Sequence, residues 1–300
     1  MEVQPKELVI GIGDLHGHYH ALEKLANGLQ EEYQIFSGDN QLRSGVELVF
    51  TGDYIDRGDN NLKVIDRMIE LAKNSNVVEL FGNHELLALA DLGNAQALVD
   101  QNKGAMSYSV TLHGGNGGYN FVKEFSRDDK ESLAKYVVEM SRTGRIGGWI
   151  RKLKPFYLTS SGRKSILFIH GGLSDQLDVP KDLEEYFEYF TNRIMTTTDI
   201  FGGSFKKYFD TRRLGPESPF WDRTMPDMSQ KEITRRLERV GVDIVVTGHT
   251  PHRKIESYFG KVFDIDVGMN PRYGENTPAA IVFREGVAYS FDVLRGEVKL

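Results

Sequence analysis

The chain has 300 residues, with 37 Lys and Arg against 43 Asp and Glu, a formal net charge of −6. Apolar residues make up 40%, enough for a sizeable core, and the mild acidity argues against a nucleic-acid partner, which selects a basic face. Cysteine is absent, which excludes disulfides, thiolate metal sites, iron–sulfur clusters and a cysteine nucleophile.

Residues 8–13 read as a buried strand, stopped by Asp14 before it is long enough for a secretory signal. A helix follows over about residues 20–30, then a strand at 46–52, a helix at 60–73 and a strand at 77–82. Residues 85–92 open another helix. Residues 93–160 hold a glycine-rich loop, Gly114-Gly115-Asn116-Gly117-Gly118, and at least one helix at 128–140. After a strand at 166–170 comes a second irregular stretch, 174–228. It carries an acidic helix near 183–190, Gly202-Gly203, and the prolines Pro216, Pro219 and Pro226. Strands at 243–247, 261–267, 279–284 and 287–293 complete the pattern, the last two joined by a tight turn at Glu285-Gly286. Strands resume after each irregular stretch, so 93–160 and 174–228 are read as insertions over one face of a single domain spanning 1–300. The alternation predicts a layered α/β architecture. No apolar run approaches the ~20 residues that cross a bilayer. The expected setting is cytoplasmic, with no membrane partner.

Five strands end in polar residues of the kind that bind metals. Asp14 and His16 follow the first at positions i and i+2, which point the same way on an extended chain. Gly52-Asp53-Tyr54-Ile55-Asp56-Arg57-Gly58 places two carboxylates and a guanidinium at a strand's carboxyl end, where α/β sheets bind ligands. Gly82-Asn83-His84-Glu85 leads into a helix, where an Asn is also an ordinary N-cap. His170-Gly171-Gly172-Leu173-Ser174 and Gly248-His249-Thr250 each put a histidine after an apolar strand. Each ending alone has a plain structural explanation. Together they converge carboxylates and imidazoles on one rim, a donor set suited to Mn, Fe or Zn.

In its order of motifs the chain resembles the calcineurin-like metallophosphoesterase superfamily, and residues 52–58 with 170–174 are most similar to its phosphoprotein phosphatase branch. Gly147-Gly148-Trp149-Ile150-Arg151 and Pro219-Phe220-Trp221-Asp222-Arg223 resemble segments of the Shewanella-like phosphatases. The resemblance implies a four-layer α/β/β/α sandwich of two mixed sheets. It also implies two divalent metal ions, Mn²⁺ foremost, with Fe or Zn as alternatives. Asp14, His16 and Asp53 correspond to the first metal's ligands. Asp53 bridges to the second, which Asn83, His170 and His249 complete. Arg57 matches the family's phosphate-binding arginine, with Asn83 and His84 beside it. His84 matches the proton donor, and Asp56 the residue that orients it. Arg223 is the candidate for a second phosphate arginine. Related phosphoesterases carry a further histidine where this chain has Pro251; His252 is one place too late and is read as peripheral. His18 and His20 are expected at a helix start, and His113 in a structural role beside the glycine loop.

The activity so implied is hydrolysis of phosphate monoesters on a phosphoprotein or phosphopeptide, phosphotyrosine favoured, by in-line attack of a hydroxide shared by two metals. Two readings stand beside it. One is a dinucleoside polyphosphate hydrolase or other small-molecule phosphoesterase. The other is a metal-bound pseudophosphatase scaffold, against which the presence of every expected ligand argues.

Overall fold

A computed structural model describes residues 6–38, 40–173, 218–274 and 276–300. The acidic helix expected near 183–190, Ser174, Gly202-Gly203 and Pro216 lie outside the described residues.

The strands are β1 (Leu8–Ile12), β2 (Phe36–Gly38), β3 (Gln41–Leu42), β4 (Val46–Phe50), β5 (Val77–Glu79), β6 (Phe156–Ser161), β7 (Lys164–Ile169), β8 (Ile244–Thr247), β9 (Glu256–Tyr258), β10 (Val262–Asp264), β11 (Ala279–Arg284), β12 (Val287–Asp292) and β13 (Gly296–Lys299). One sheet runs β13-β12-β11-β1-β4-β5 and a second runs β6-β7-β8-β10-β9, with β2 and β3 as a separate hairpin. Within the first sheet β1, β4 and β5 are parallel; within the second β7, β8 and β10 are parallel. Antiparallel pairs at β1/β11, β6/β7 and β9/β10 make both sheets mixed.

The sheets pack face to face. Phe283 on β11 meets Phe168 on β7 and Phe263 on β10, with ring centroids 6.4 and 5.8 Å apart. Glu47, buried on β4, accepts hydrogen bonds from Tyr157 Oη (2.9 Å) and Thr159 Oγ1 (2.6 Å) of β6. Both β1 and β4 are buried along their whole length, which explains why β1 is apolar throughout and β4 is apolar except at Glu47.

Helices α1 (Tyr19–Tyr33) and α2 (Asn61–Leu71) flank the six-stranded sheet, where Gly28 of α1 lies against Phe291 of β12. Between β5 and β6 run α3 (Asn83–Ala90), α4 (Leu92–Asp100), α5 (Ala105–Tyr108), α6 (Tyr119–Lys123), α7 (Asp129–Met140) and α8 (Arg145–Ile150). Over the five-stranded sheet, α9 (Gln230–Val240) packs Ile233, Leu237 and Val240 with Leu167, Ile169 and Val245. A capping box of Ser229 and Glu232 starts α9, and Gly241 ends it at φ 68°. The result is the four-layer sandwich expected from the sequence.

Two differences from the sequence reading concern residues 93–160. That stretch is mostly helical, and Gly114–Gly118 is a wide turn broken at Gly117, whose φ of 110° is not helical. Glycines there serve close approach: Gly117, at φ 110°, passes so near Arg57 that a Cβ would lie 2.7 Å from its Cγ. The stretch also ends in β6, whose Ser- and Thr-rich, half-exposed residues lack a clean alternation. The short β2, β3, β9 and β13 likewise carry too few residues to show a period.

Candidate metal centre

Parallel strands deliver the expected residues to one rim. Asp14 and His16 follow β1, Asp53 follows β4, Asn83 opens α3 after β5, His170 follows β7, and His249 follows β8. The chain turns sharply at these points. His16, Asp53, Asp56, Arg57 and His249 all have positive φ, from 42° to 76°. Such backbone costs about 1–3 kcal/mol per residue and persists only where surroundings hold it. Glu85 is one such holder, and sequence reasoning assigned it no role. Its buried carboxylate accepts from the N–H groups of Gly82 (2.9 Å), Asp53 (3.0 Å), Tyr54 (2.9 Å) and Ile55 (3.4 Å). Burial and the neighbouring Asp53 push it up to about 8.

Asp53 is common to two sets whose donor atoms lie within 4.8 Å of one another: His16, Asp53, His84 and Asp53, His170, His249. Its Oδ2 is 3.5 Å from His16 Nε2, and its Oδ1 is 3.5 Å from His170 Nε2. His16 Nδ1 donates to Ile55 O (3.0 Å) and His170 Nδ1 to Thr51 O (2.8 Å). These bonds fix each tautomer with the proton on Nδ1 and leave Nε2 as the lone-pair nitrogen. Among the described residues, Nε2 of His249 is buried without a hydrogen-bond partner. Burial lowers all three imidazoles, His16 to about 3, so they stand neutral, as metal ligands must. Burial opposes the charge on Asp53, but His170, His84 and His16 together hold it well below the usual carboxylate range.

Other groups crowd the same rim. Burial, Asp266 and Asp53 push Asp14 well up, while its oxygens accept the His249 N–H at 3.1 and 3.2 Å. Burial pushes Asp266 up to about 7. Buried carboxylates, neutral imidazoles and an orphaned imidazole nitrogen form a donor set short only of positive charge. Divalent cations fit it. Asp14 itself joins neither close set, and Asn83 Oδ1 lies 2.9 Å from His170 Nε2. Asp264 and Asp266 at the end of β10 were overlooked in the sequence. The signal was there, an i, i+2 carboxylate pair at a strand end, the same spacing as Asp14 and His16.

Arg57 is half-buried, with Nη1 2.7 Å from His16 Nε2 and hydrogen-bonded to Tyr273 Oη; its guanidinium carbon lies 5.5 Å from the Tyr273 ring centroid. His84 Nδ1 is 2.6 Å from Asp56 Oδ2, and its Nε2 is 4.0 Å from Asp53 Oδ2. Arg223 is exposed and donates to Thr250 Oγ1 at 3.2 Å, close enough to bear on His170 and His249. His252 pairs with Asp264 at 3.2 Å. At the start of α1, His18 Nδ1 donates to Met269 O at 2.5 Å.

Two facing mixed sheets with an Asp/His donor set at one rim define a metallohydrolase. The chain belongs to the calcineurin-like phosphoesterase family, whose profile matches residues 8–253. It is similar to Shewanella-like protein phosphatase 1 of Plasmodium berghei, 26% identical over 294 residues, covering 90% of this chain and 70% of that protein. A stretch of 73 residues is 40% identical to the asymmetrical bis(5'-nucleosyl)-tetraphosphatase of Oceanobacillus iheyensis, spanning 24% of this chain and only 28% of that relative. The cold-active protein-tyrosine phosphatase of Shewanella sp. superposes with a TM-score of 0.67 at 20% identity, covering 98% of this chain and 80% of that one. That likeness shows the shared fold. Among the described residues no helix is long and apolar enough to cross a membrane.

Proposed function

We propose that this chain is a metal-dependent phosphomonoesterase acting on phosphoproteins, phosphotyrosine foremost, in the cytoplasm. The observation that carries the reading is Asp53, whose two oxygens face His16 on one side and His170 on the other. Asp14, His16 and Asp53 would hold one divalent ion, and Asp53, Asn83, His170 and His249 another, with Mn²⁺ the first choice. Such ions, when bound, supply Lewis acidity and an activated water at neutral pH.

The chain's own groups do the rest. Arg57 presents a planar fork that matches phosphate oxygens bidentately, with Arg223 on the far side of the site. His84, its Nδ1 held by Asp56, carries the proton from Nε2 to the leaving oxygen. Within a single domain, the segment 93–160 backs Asp56 and Arg57 at the rim. The 26% identity to a protein phosphatase over 90% of the chain supports the phosphoprotein reading. The shorter 40% match supports the second reading, a hydrolase of dinucleoside polyphosphates.

The test is direct. Protein stripped by a chelator is reloaded with Mn²⁺ and assayed on a phosphotyrosine peptide, a phosphoserine peptide and a dinucleoside tetraphosphate. Activity should vanish on stripping and return on reloading, with the phosphotyrosine peptide turned over best. Full activity in metal-free protein sinks the proposal, and a higher kcat/KM for the tetraphosphate installs the second reading.

A further inference from the structure

His113, read from the sequence as merely structural, is fully buried behind the site. Its Nε2 lies 2.9 Å from both carboxylate oxygens of Asp56, and its Nδ1 lies 2.9 Å from Tyr108 Oη. Tyr136 Oη sits 3.4 Å from the same Nδ1 and 3.4 Å from Ala88 O. One tautomer gives every atom a partner: Nε2–H donates to Asp56, and Nδ1 accepts from Tyr108. The backbone N–H of His113 donates to Asp91 Oδ2 at 2.8 Å, which fixes the ring's base.

Asp56 therefore has two imidazole partners, His84 in front and His113 behind. A carboxylate held by one donor swings about its own bonds; a second donor, here reaching both oxygens, removes that freedom. Burial works against the Asp56 charge, but His113 and then His84 bring it down to about 2, so it stays an acceptor for both rings. Orientation of a proton donor to within a few tenths of an ångström is worth much of its catalytic value.

We propose that His113, oriented by Tyr108, is a positioning residue that fixes the Asp56 carboxylate and through it the ring of His84. The proposal rests on the reading of His84 as proton donor. Its experiment uses the Mn²⁺-loaded enzyme and two probes, an alkyl phosphate and p-nitrophenyl phosphate, whose leaving oxygen hardly needs a proton. His113→Phe fills the space without a donor. It should lower kcat on the alkyl phosphate by about 10–100-fold, the usual effect of losing an outer hydrogen-bond partner, with KM and metal content unchanged and p-nitrophenyl phosphate little affected. His113→Gln places an amide N–H where the imidazole N–H stood and should regain most of the loss. Tyr108→Phe should fall between the two, and reports on the chain even if His113→Phe does not fold.

His84→Asn, run alongside, separates the two ideas. If His84→Asn slows both probes equally, the proton-donor reading falls and this inference with it. If His84→Asn discriminates between the probes while the His113 and Tyr108 variants match wild type or slow both probes equally, only the inference is overturned.

Discussion

The ligand-bearing rim and the helical stretch behind it, residues 105–124, are ordered by different means. On the rim, side chains leave strand ends directly, and backbone carbonyls just beyond β4 pin two of them: His16 donates to Ile55 O and His170 to Thr51 O. Asp56 and Arg57 lie farther out on the turn, at φ 76° and 67°. There the inserted segment takes over. Arg57 N–H donates to Gly117 O (3.2 Å), and Asn120 Nδ2 donates to Arg57 O (2.9 Å). Asn61 Oδ1 accepts the Asp56 N–H at 2.6 Å, while Glu124 accepts from the N–H groups of Asn61 (2.8 Å) and Leu62 (2.9 Å). The proposed ligands are thus placed by strand ends, and the groups proposed to handle phosphate and proton by the insertion. The two functions are separable.

The sharpest way to break this division is Asp53→Asn, which removes the one carboxylate shared by both donor sets. Activity should fall well beyond the ~10–100-fold typical of outer-shell changes, and metal measured on the purified protein should drop with it. Retention of both ions and of activity would dissolve the rim as described. Arg57→Lys acts on the other half. Charge is kept but the fork is lost, so kcat/KM should fall at least about tenfold with metal content intact, a tenfold change being ~1.4 kcal/mol. Equal kcat/KM for the two proteins would make Arg57 a structural residue.

Gly117→Ala probes the join between them. Its Cβ would stand 2.7 Å from Arg57 Cγ at φ 110°, so the strain, about 1–3 kcal/mol, is expressed as a displaced guanidinium. KM for a phosphopeptide should rise several-fold while metal content stays at the wild-type level; loss of metal would show that the regions are not independent. The smallest effect concerns Glu79, at the end of β5, whose oxygens take the Trp149 Nε1–H of α8 at 3.1 and 3.2 Å. Burial pushes Glu79 up to about 8 from an ordinary 4.5. The folded state therefore holds the extra proton. Its contribution to stability is full at pH below about 4.5 and is lost as pH rises through about 8. Between pH 5 and 8 the Tm of wild type should decline more steeply than that of Glu79→Gln, and parallel curves would contradict the shift.

How legible each region was follows from the same division. Asp14, His16, Asp53, Asn83, His170 and His249 stand just after apolar strands, so a local pattern of five or six residues announced them. The core sandwich was readable for the same reason, since fully buried strands such as β1 are unbroken apolar runs. His113, Glu124 and Asn120 gave no such notice. Their partners are 57 and 63 residues away, and their local sequences say only helix or glycine turn. Glu85 sat inside a motif but bonds a backbone some 30 residues back, a role no spacing rule contains. Tyr273 was invisible too, because its contact with Arg57 spans 216 positions.

The pairing of β1 has a consequence in time. It sits between β4 and β11, with Val9 opposite both Glu47 and Phe283, and Asp14 accepts the N–H of a residue 235 positions later. At a synthesis rate of about 5–20 residues per second, on the order of 10–50 s separate the appearance of Asp14 from that of His249. The first βαβ half can pair during that interval, but the second donor set has only Asp53 and Asn83 until His170 and His249 emerge. Completion of the proposed two-ion centre would therefore be a late, whole-chain event, and a nascent chain lacking His249 would hold at most the first donor set.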